Sequence, residues 1–99
     1  MAKFDVYSSK QGDTLLLDCQ ADLLEDLSTR FVVPLLPETE APKSATRLNP
    51  VFTIADERYV MATQFAATVP LRELEKTVQS LIVEQDRISL ALDMLISGF

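Results

Sequence analysis

The sequence predicts an antiparallel α+β fold, and three observations carry that prediction. Over most of the chain, apolar residues alternate with polar ones in short runs separated by turn-forming residues, the period-2 pattern of strands with one buried face. Beyond Glu84 the period changes: Ile88, Leu92, Leu95 and Phe99 recur at i, i+4, i+7 and i+11, and Ala91 widens the stripe, as on the buried face of a helix. The two patterns are segregated, strands first and helix last, an order that favours an antiparallel sheet with a helix packed on it. A length of 99 residues suits one domain, residues 1–99, because two separate cores do not fit in so short a chain.

The run "KFDVYSS" forms the first strand, with Phe4 and Val6 on one face and Asp5 and Tyr7 on the other. "KQGD" follows as a turn in which Gly12 is free to take a positive φ. "TLLLDCQA" returns as the second strand of a hairpin. Leu15, Leu17, Cys19 and Ala21 share one face, and Leu16 is the apolar exception on the other. "DLLEDLS" mixes acids with leucines and reads as a connection or a single helical turn. "TRFVVPLLP" is rich in β-formers; Pro34 lacks the N–H of a central ladder, so the strand is expected at an edge or a bulge. "PETEAP" reads as a solvated excursion or a short helix.

"NPVFTIADERYVMATQF" is the clearest hairpin, with Val51 to Ile54 and Arg58 to Thr63 as strands and Ala55 to Glu57 as the turn. "AATVP" continues that strand or adds another. Leu71 to Gln79 is open between helix and strand, since Leu71, Leu74 and Val78 suit either. In the final helix Glu84 and Asp86 occupy the first turn, where negative charge complements the helix dipole. Gly98 is placed to terminate it.

Composition removes several classes of function. Fifteen acids stand against nine bases, a formal charge of −6, and the bases never form a block. That balance argues against binding nucleic acid through its phosphates, which depends on Lys and Arg. There is no histidine and one cysteine, Cys19; zinc is excluded on ligand count, as is a Ser–His–Asp triad. Cys19 lies in an apolar run and reads as a small buried hydrophobe. Asp56 with Glu57, and Asp22 with Glu25 and Asp26, read as solvated acids rather than metal ligands. Two glycines cannot build a phosphate-cradling loop. No cofactor is therefore expected, and the chain is not expected to be an enzyme. The opening residues hold no apolar stretch of signal-peptide length and no run reaches membrane-spanning length, so a cytoplasmic protein without membrane contact is expected.

What remains is binding, and the final helix is the candidate. Leu90, Met94 and Ile96 fall off the Ile88–Leu92–Leu95 line. A short helix that is apolar nearly all round needs cover on more than one side, and a second subunit related by a twofold axis is the commonest way to supply it.

Three blocks, "LLLDCQADLLEDLSTRFVVPLLP", "LNPVFTIADERYVMATQFAATVP" and "DRISLALDMLISGF", resemble the CcdB family of bacterial toxins. The shared pattern is an ordered set. It comprises D-x-Q-x-D after the second strand, an arginine followed by apolar–V–x–P–L, N-P-V before the hairpin, and an x-G-apolar ending. The resemblance implies an SH3-like barrel with a small extra sheet and a C-terminal helix. It implies a homodimer paired near that helix, where Ile88, Ala91, Leu92 and Leu95 read as dimer packing and core. It also implies the toxin half of a toxin–antitoxin module, plasmid-borne or chromosomal, that binds the A subunit of DNA gyrase and traps it on cleaved DNA. A CcdA-like antitoxin neutralises such toxins. By position, the gyrase contact falls on Ser97, Gly98 and Phe99, and antitoxin contacts on Leu23, Leu24, Asp93 and Ile96. This chain has Ser97 where the best-known members have a tryptophan that stacks on a gyrase arginine, Phe99 where isoleucine is usual, and Asp93 where asparagine is usual. The tryptophan's absence leaves a second reading, a chain that dimerises and binds antitoxin but has lost or changed its target. A third is an endoribonuclease, as in the MazF/Kid toxins that share the barrel.

Overall fold

The computed structural model describes residues 2–10, 14–41 and 45–98. The turn expected at Gly12 and the terminal Phe99 lie outside them. Seven strands are described: β1 (Asp5–Ser9), β2 (Leu15–Asp18), β3 (Thr29–Pro37), β4 (Val51–Ile54), β5 (Glu57–Met61), β6 (Ala67–Pro70) and β7 (Leu74–Ser80). The helix α1 (Gln85–Ser97) follows them. The strands form one curled antiparallel sheet, half a barrel, in the order β4-β5-β3-β2-β1-β7. The addition expected beside the barrel is β6, a branch of this same sheet that pairs with β3.

Alternation sorts the residues onto two faces. On one, Val6, Leu17, Val33, Leu35, Ile54 and Met61 close over with Phe4, Phe52, Leu81, Ile88 and Ala91 as the main core. Burying each large aliphatic side chain is worth about 1.5–3 kcal/mol. On the other face Tyr7, Leu16 and Val32 are buried too. This explains Leu16: the sheet is covered on both sides here, and "TLLLD" is a strand without a solvent face. The Tyr7 hydroxyl is buried; burial is the main reason its pKa is raised, with the Thr77 side chain pulling the other way.

The β1–β2 hairpin has the expected antiparallel pairing, Val6 opposite Leu17 and Tyr7 opposite Leu16. Phe4 does not belong to β1. It sits at φ 71, donating its N–H to Asp18 O and accepting from Leu81 N at 2.8 Å. This left-handed residue ties the sheet to the approach of α1.

Two expectations need correction, and a third, left open between helix and strand, is decided. First, β3 is central, paired with β2 on one side and with β6 and β5 on the other. Cys19 N donates to Phe31 O at 2.9 Å. By the alternation of an antiparallel ladder, Val33 and Leu35 direct their backbone groups to β2 and Pro34 directs its own away. On that far side β6 lies opposite Thr29 to Val32 and β5 opposite Leu35 to Pro37. Pro34 stands in the gap between them, so its missing N–H breaks no ladder, and its carbonyl accepts from Ala62 N at 2.9 Å.

Second, Glu57 is in β5, opposite Ile54. The turn is the two residues Ala55 and Asp56, both with positive φ (51 and 65), as a tight primed hairpin turn requires. The chain then leaves β5 after Met61 for a 3₁₀ turn, Thr63–Phe65. Third, the stretch from Leu71 is a 3₁₀ turn (Leu71–Glu73) and then β7, so the strand alternative holds. The short connections at Asp22–Leu24 and Glu38–Glu40 are single 3₁₀ turns.

Candidate functional site

The outer end of α1 is built from inside outward. Ile88 and Ala91 are fully buried in the chain's own core, and Leu92 packs half-buried beside them. They fix the helix on the sheet and leave Leu90, Asp93, Leu95, Ile96 and Ser97 exposed. Ile96 is 75 % exposed, close to full display for an isoleucine. Of the four residues expected to pair two copies, Ile88 and Ala91 therefore have no surface to give, and Leu92 and Leu95 keep some. Gly98 ends the helix at φ 79, its N–H bonded to Met94 O at 3.0 Å. Nothing lies within 4 Å of where a Cβ would stand, so backbone conformation, not space, makes this a glycine. Beside α1 packs the 3₁₀ turn that carries Phe65, itself 53 % exposed. Sequence reasoning missed Phe65; its signal was an aromatic directly after the clearest hairpin.

A second apolar surface lies in the connection after β2. Leu23 is 93 % exposed, with Leu24 and Leu27 about half exposed. The residues of the D-x-Q-x-D pattern and the arginine hold this segment in shape. Asp18 accepts from the Gln20 amide at 3.0 Å. The Gln20 side chain donates to Leu24 O at 2.9 Å and accepts from Phe31 N at 3.0 Å. Asp22 accepts from Lys3 N at 2.7 Å. Arg30 is buried and donates to the carbonyls of Glu25 (2.8 Å), Thr29 (3.2 Å) and Leu27 (3.3 Å). Its Nε lies 3.8 Å from the equally buried Asp18 carboxylate. Burial pushes the Asp18 carboxyl above its ordinary value, with the Gln20 amide and the Arg30 charge pulling the other way. Asn49 of the N-P-V pattern works likewise: it donates to Met61 O (2.9 Å) and Gln64 (2.7 Å) and accepts from Ala45 N (3.1 Å). The patterned polar residues are scaffold; the exposed leucines they position are what another molecule can touch. Leu27 was missed in the sequence, where it was an apolar residue in a segment read only as a connection.

Reactive groups are placed for packing. The Cys19 thiol is buried and pushed up to about 12, chiefly by desolvation, so at neutral pH it is a neutral, poor nucleophile. Among the described residues no group of three potential metal ligands comes together. Arg58 and Glu38 form an exposed two-pronged pair at 3.0 and 3.1 Å. None of the helices described is long and apolar enough to cross a membrane.

The family model described as "CcdB protein" matches residues 3–98. The chain belongs to the CcdB family. It is thus a toxin of the toxin–antitoxin kind, in a family whose members generally pair and bind an antitoxin. Among solved structures, this CcdB-family chain is similar to the Mycobacterium tuberculosis toxin MazF-mt6. The TM-score is 0.77 at 10 % identity, with 93 % of this chain and 95 % of that one covered. At that identity the likeness is one of fold, the barrel that the family resemblance implied.

Proposed function

We propose that this CcdB-family toxin acts on the A subunit of DNA gyrase, docking through the end of α1 and holding the enzyme on cleaved DNA. The observation that carries the reading is the display of Ile96, exposed at the tip of a helix whose inner face is locked into the core, followed by Ser97 and Gly98. Ser97, Gly98 and Phe99 are the proposed gyrase contact. The antitoxin covers Ile96 and Asp93 on α1 together with Leu23 and Leu24. A second copy of the chain packs near α1 on Leu92, Leu95 and Phe65. The toxin makes and breaks no covalent bond itself, a reading supported by the neutral buried Cys19 and the absence of histidine from the sequence.

Purified gyrase tests this directly. The full chain is expected to block supercoiling and accumulate cleaved complexes, and the chain lacking 97–99 to do neither while keeping its fold. Equal activity of the shortened chain would remove the contact from this end.

One observation favours a second reading: Ser97 stands exposed where the family's aromatic would be. A desolvated aromatic–arginine contact is worth ~2 kcal/mol, and serine supplies none of it. In that reading the chain still dimerises and binds its antitoxin, but has left gyrase for another target. Ser97→Trp separates the two: cleavage complexes formed only by the variant select the changed target.

A further inference from the structure

Two of the nine bases of this acidic chain line one small hollow that shares only Leu90 with the surfaces described above. It holds about 150 Å³ between the segment leading into β4 and the first turns of α1, and its walls are Thr46, Arg47, Pro50, Arg87 and Leu90. No acid is among them. Arg87 is held ready: its guanidinium stacks 4.8 Å from the Phe52 ring centroid, donates to Val51 O at 3.1 Å and pairs with Glu84 at 3.3 Å. Glu84 offsets part of its charge. Arg47 has no such partner among the described residues; it is exposed and free to close on a guest. Pro50 and the half-exposed Leu90 give the hollow an apolar wall.

We propose that this hollow receives a carboxylate side chain, an Asp or Glu with an apolar neighbour, from the antitoxin segment that lies on the toxin; the proposal rests on the toxin–antitoxin reading above. The chemistry is complementary on three counts. Two guanidiniums offer charge-assisted hydrogen bonds to one carboxylate, roughly twice as strong as neutral ones. The Leu90–Pro50 wall accepts the neighbouring apolar side chain. The positive site sits on a body of net charge −6, so two bases lining one hollow are a local exception to the overall field an acidic guest meets. The site therefore sets the register of an extended segment across the toxin.

The test is NMR titration of the full chain with the capped peptide Leu-Glu-Leu, its Leu-Gln-Leu counterpart and inorganic phosphate. The Nε–H signals of Arg47 and Arg87 and the Leu90 methyls are expected to shift saturably with the Glu peptide. The Gln peptide should bind about tenfold more weakly. Arg47→Gln should abolish the response, while Arg58→Gln, which lies outside the hollow's lining and pairs with Glu38, should leave it intact. No response to the Glu peptide, or equal response to both peptides, overturns the proposal. A response to phosphate alone overturns it in favour of a small oxyanion. Growth arrest on expression of the unmodified chain tests the toxin reading separately: arrest without the carboxylate-dependent shift defeats the hollow alone, and the shift without arrest defeats the toxin reading.

Discussion

Two of the places where the chain displays leucine and isoleucine to solvent are supported by opposite means. The tip of α1 stands on an apolar base: Ile88 and Ala91 fully buried, Leu92 packed beside them, and one left-handed glycine to end the helix. The connection carrying Leu23, Leu24 and Leu27 stands on a polar one, a buried Arg30 that gathers three carbonyls and faces the Asp18 carboxylate. An apolar base fails gradually, by the volume removed. A polar base centred on a buried pair fails abruptly, because removing one partner leaves the other's charge buried and uncompensated. Two surfaces of similar exposure thus differ in how much one residue can undo.

The largest expected effect breaks the polar base. Arg30→Met keeps most of the stem's packing but strands the buried Asp18 carboxylate and removes the donors of three carbonyls. A loss of ~3 kcal/mol is expected, the low end of the range for breaking a buried pair, because Asp18 can relieve the charge by taking up a proton. Urea denaturation reads the total. Hydrogen exchange reads its place: amides from Cys19 to Leu27 should lose protection well before those of α1. Uniform loss over both regions would mean that the two surfaces share one support.

A gentler perturbation of the same pair is pH. Because burial raises the Asp18 pKa in the folded chain, the folded state binds that proton more tightly than the unfolded state does. Stability from this group therefore rises as pH falls through the folded pKa, and the gain is complete below the ordinary value near 3.8. The check is the difference in unfolding free energy between the native chain and Asp18→Asn, measured from neutrality to pH 3.5. It should move in favour of the native chain on acidification; movement the other way would mean that Arg30 outweighs desolvation.

At the apolar base, Gly98→Ala probes the cap alone. The new methyl meets nothing, so the cost is that of holding a non-glycine residue at φ 79, about 1 kcal/mol. Fraying should be confined to the last turn of α1, and gyrase docking should fall with it. Gly98→Asn, which tolerates this conformation better, should recover part of both.

The difference between the two bases also explains what was legible in the sequence. Apolar support leaves a period, and the α1 stripe, the β1–β2 hairpin and the β4–β5 hairpin were readable from it. Polar support leaves none: nothing in the spacing of Asp18, Gln20 and Arg30 says that they meet, and only the family pattern groups them. Pro34 misled because its tolerance in a central strand comes from a change of neighbour, β6 to β5, decided by distant segments. Tyr7 and Leu16 escaped because a strand covered on both faces loses its alternation. Leu71 to Gln79 stayed ambiguous because an edge strand as exposed as β7 has little apolar pattern to show. At the candidate site the α1 tip was legible as surplus apolar residues off the main stripe, whereas Leu27 and Phe65 are single residues that only their exposure picks out.

The smallest effect on stability sharpens the comparison most. Leu23→Ser and Ile96→Ser remove the two most exposed members of their surfaces, at 93 % and 75 % exposure. Neither side chain is part of a base, so each change should leave the unfolding free energy within ~0.5 kcal/mol of the native value. Their effects on docking should separate. The proposed antitoxin contact includes both residues, so each variant should weaken antitoxin binding. The proposed gyrase contact lies at the end of α1, so Ile96→Ser should also reduce cleavage-complex formation while Leu23→Ser leaves it near native. A Leu23 variant that binds antitoxin normally but loses gyrase would exchange the roles of the two surfaces, and the polar base would then be the support of the toxic contact.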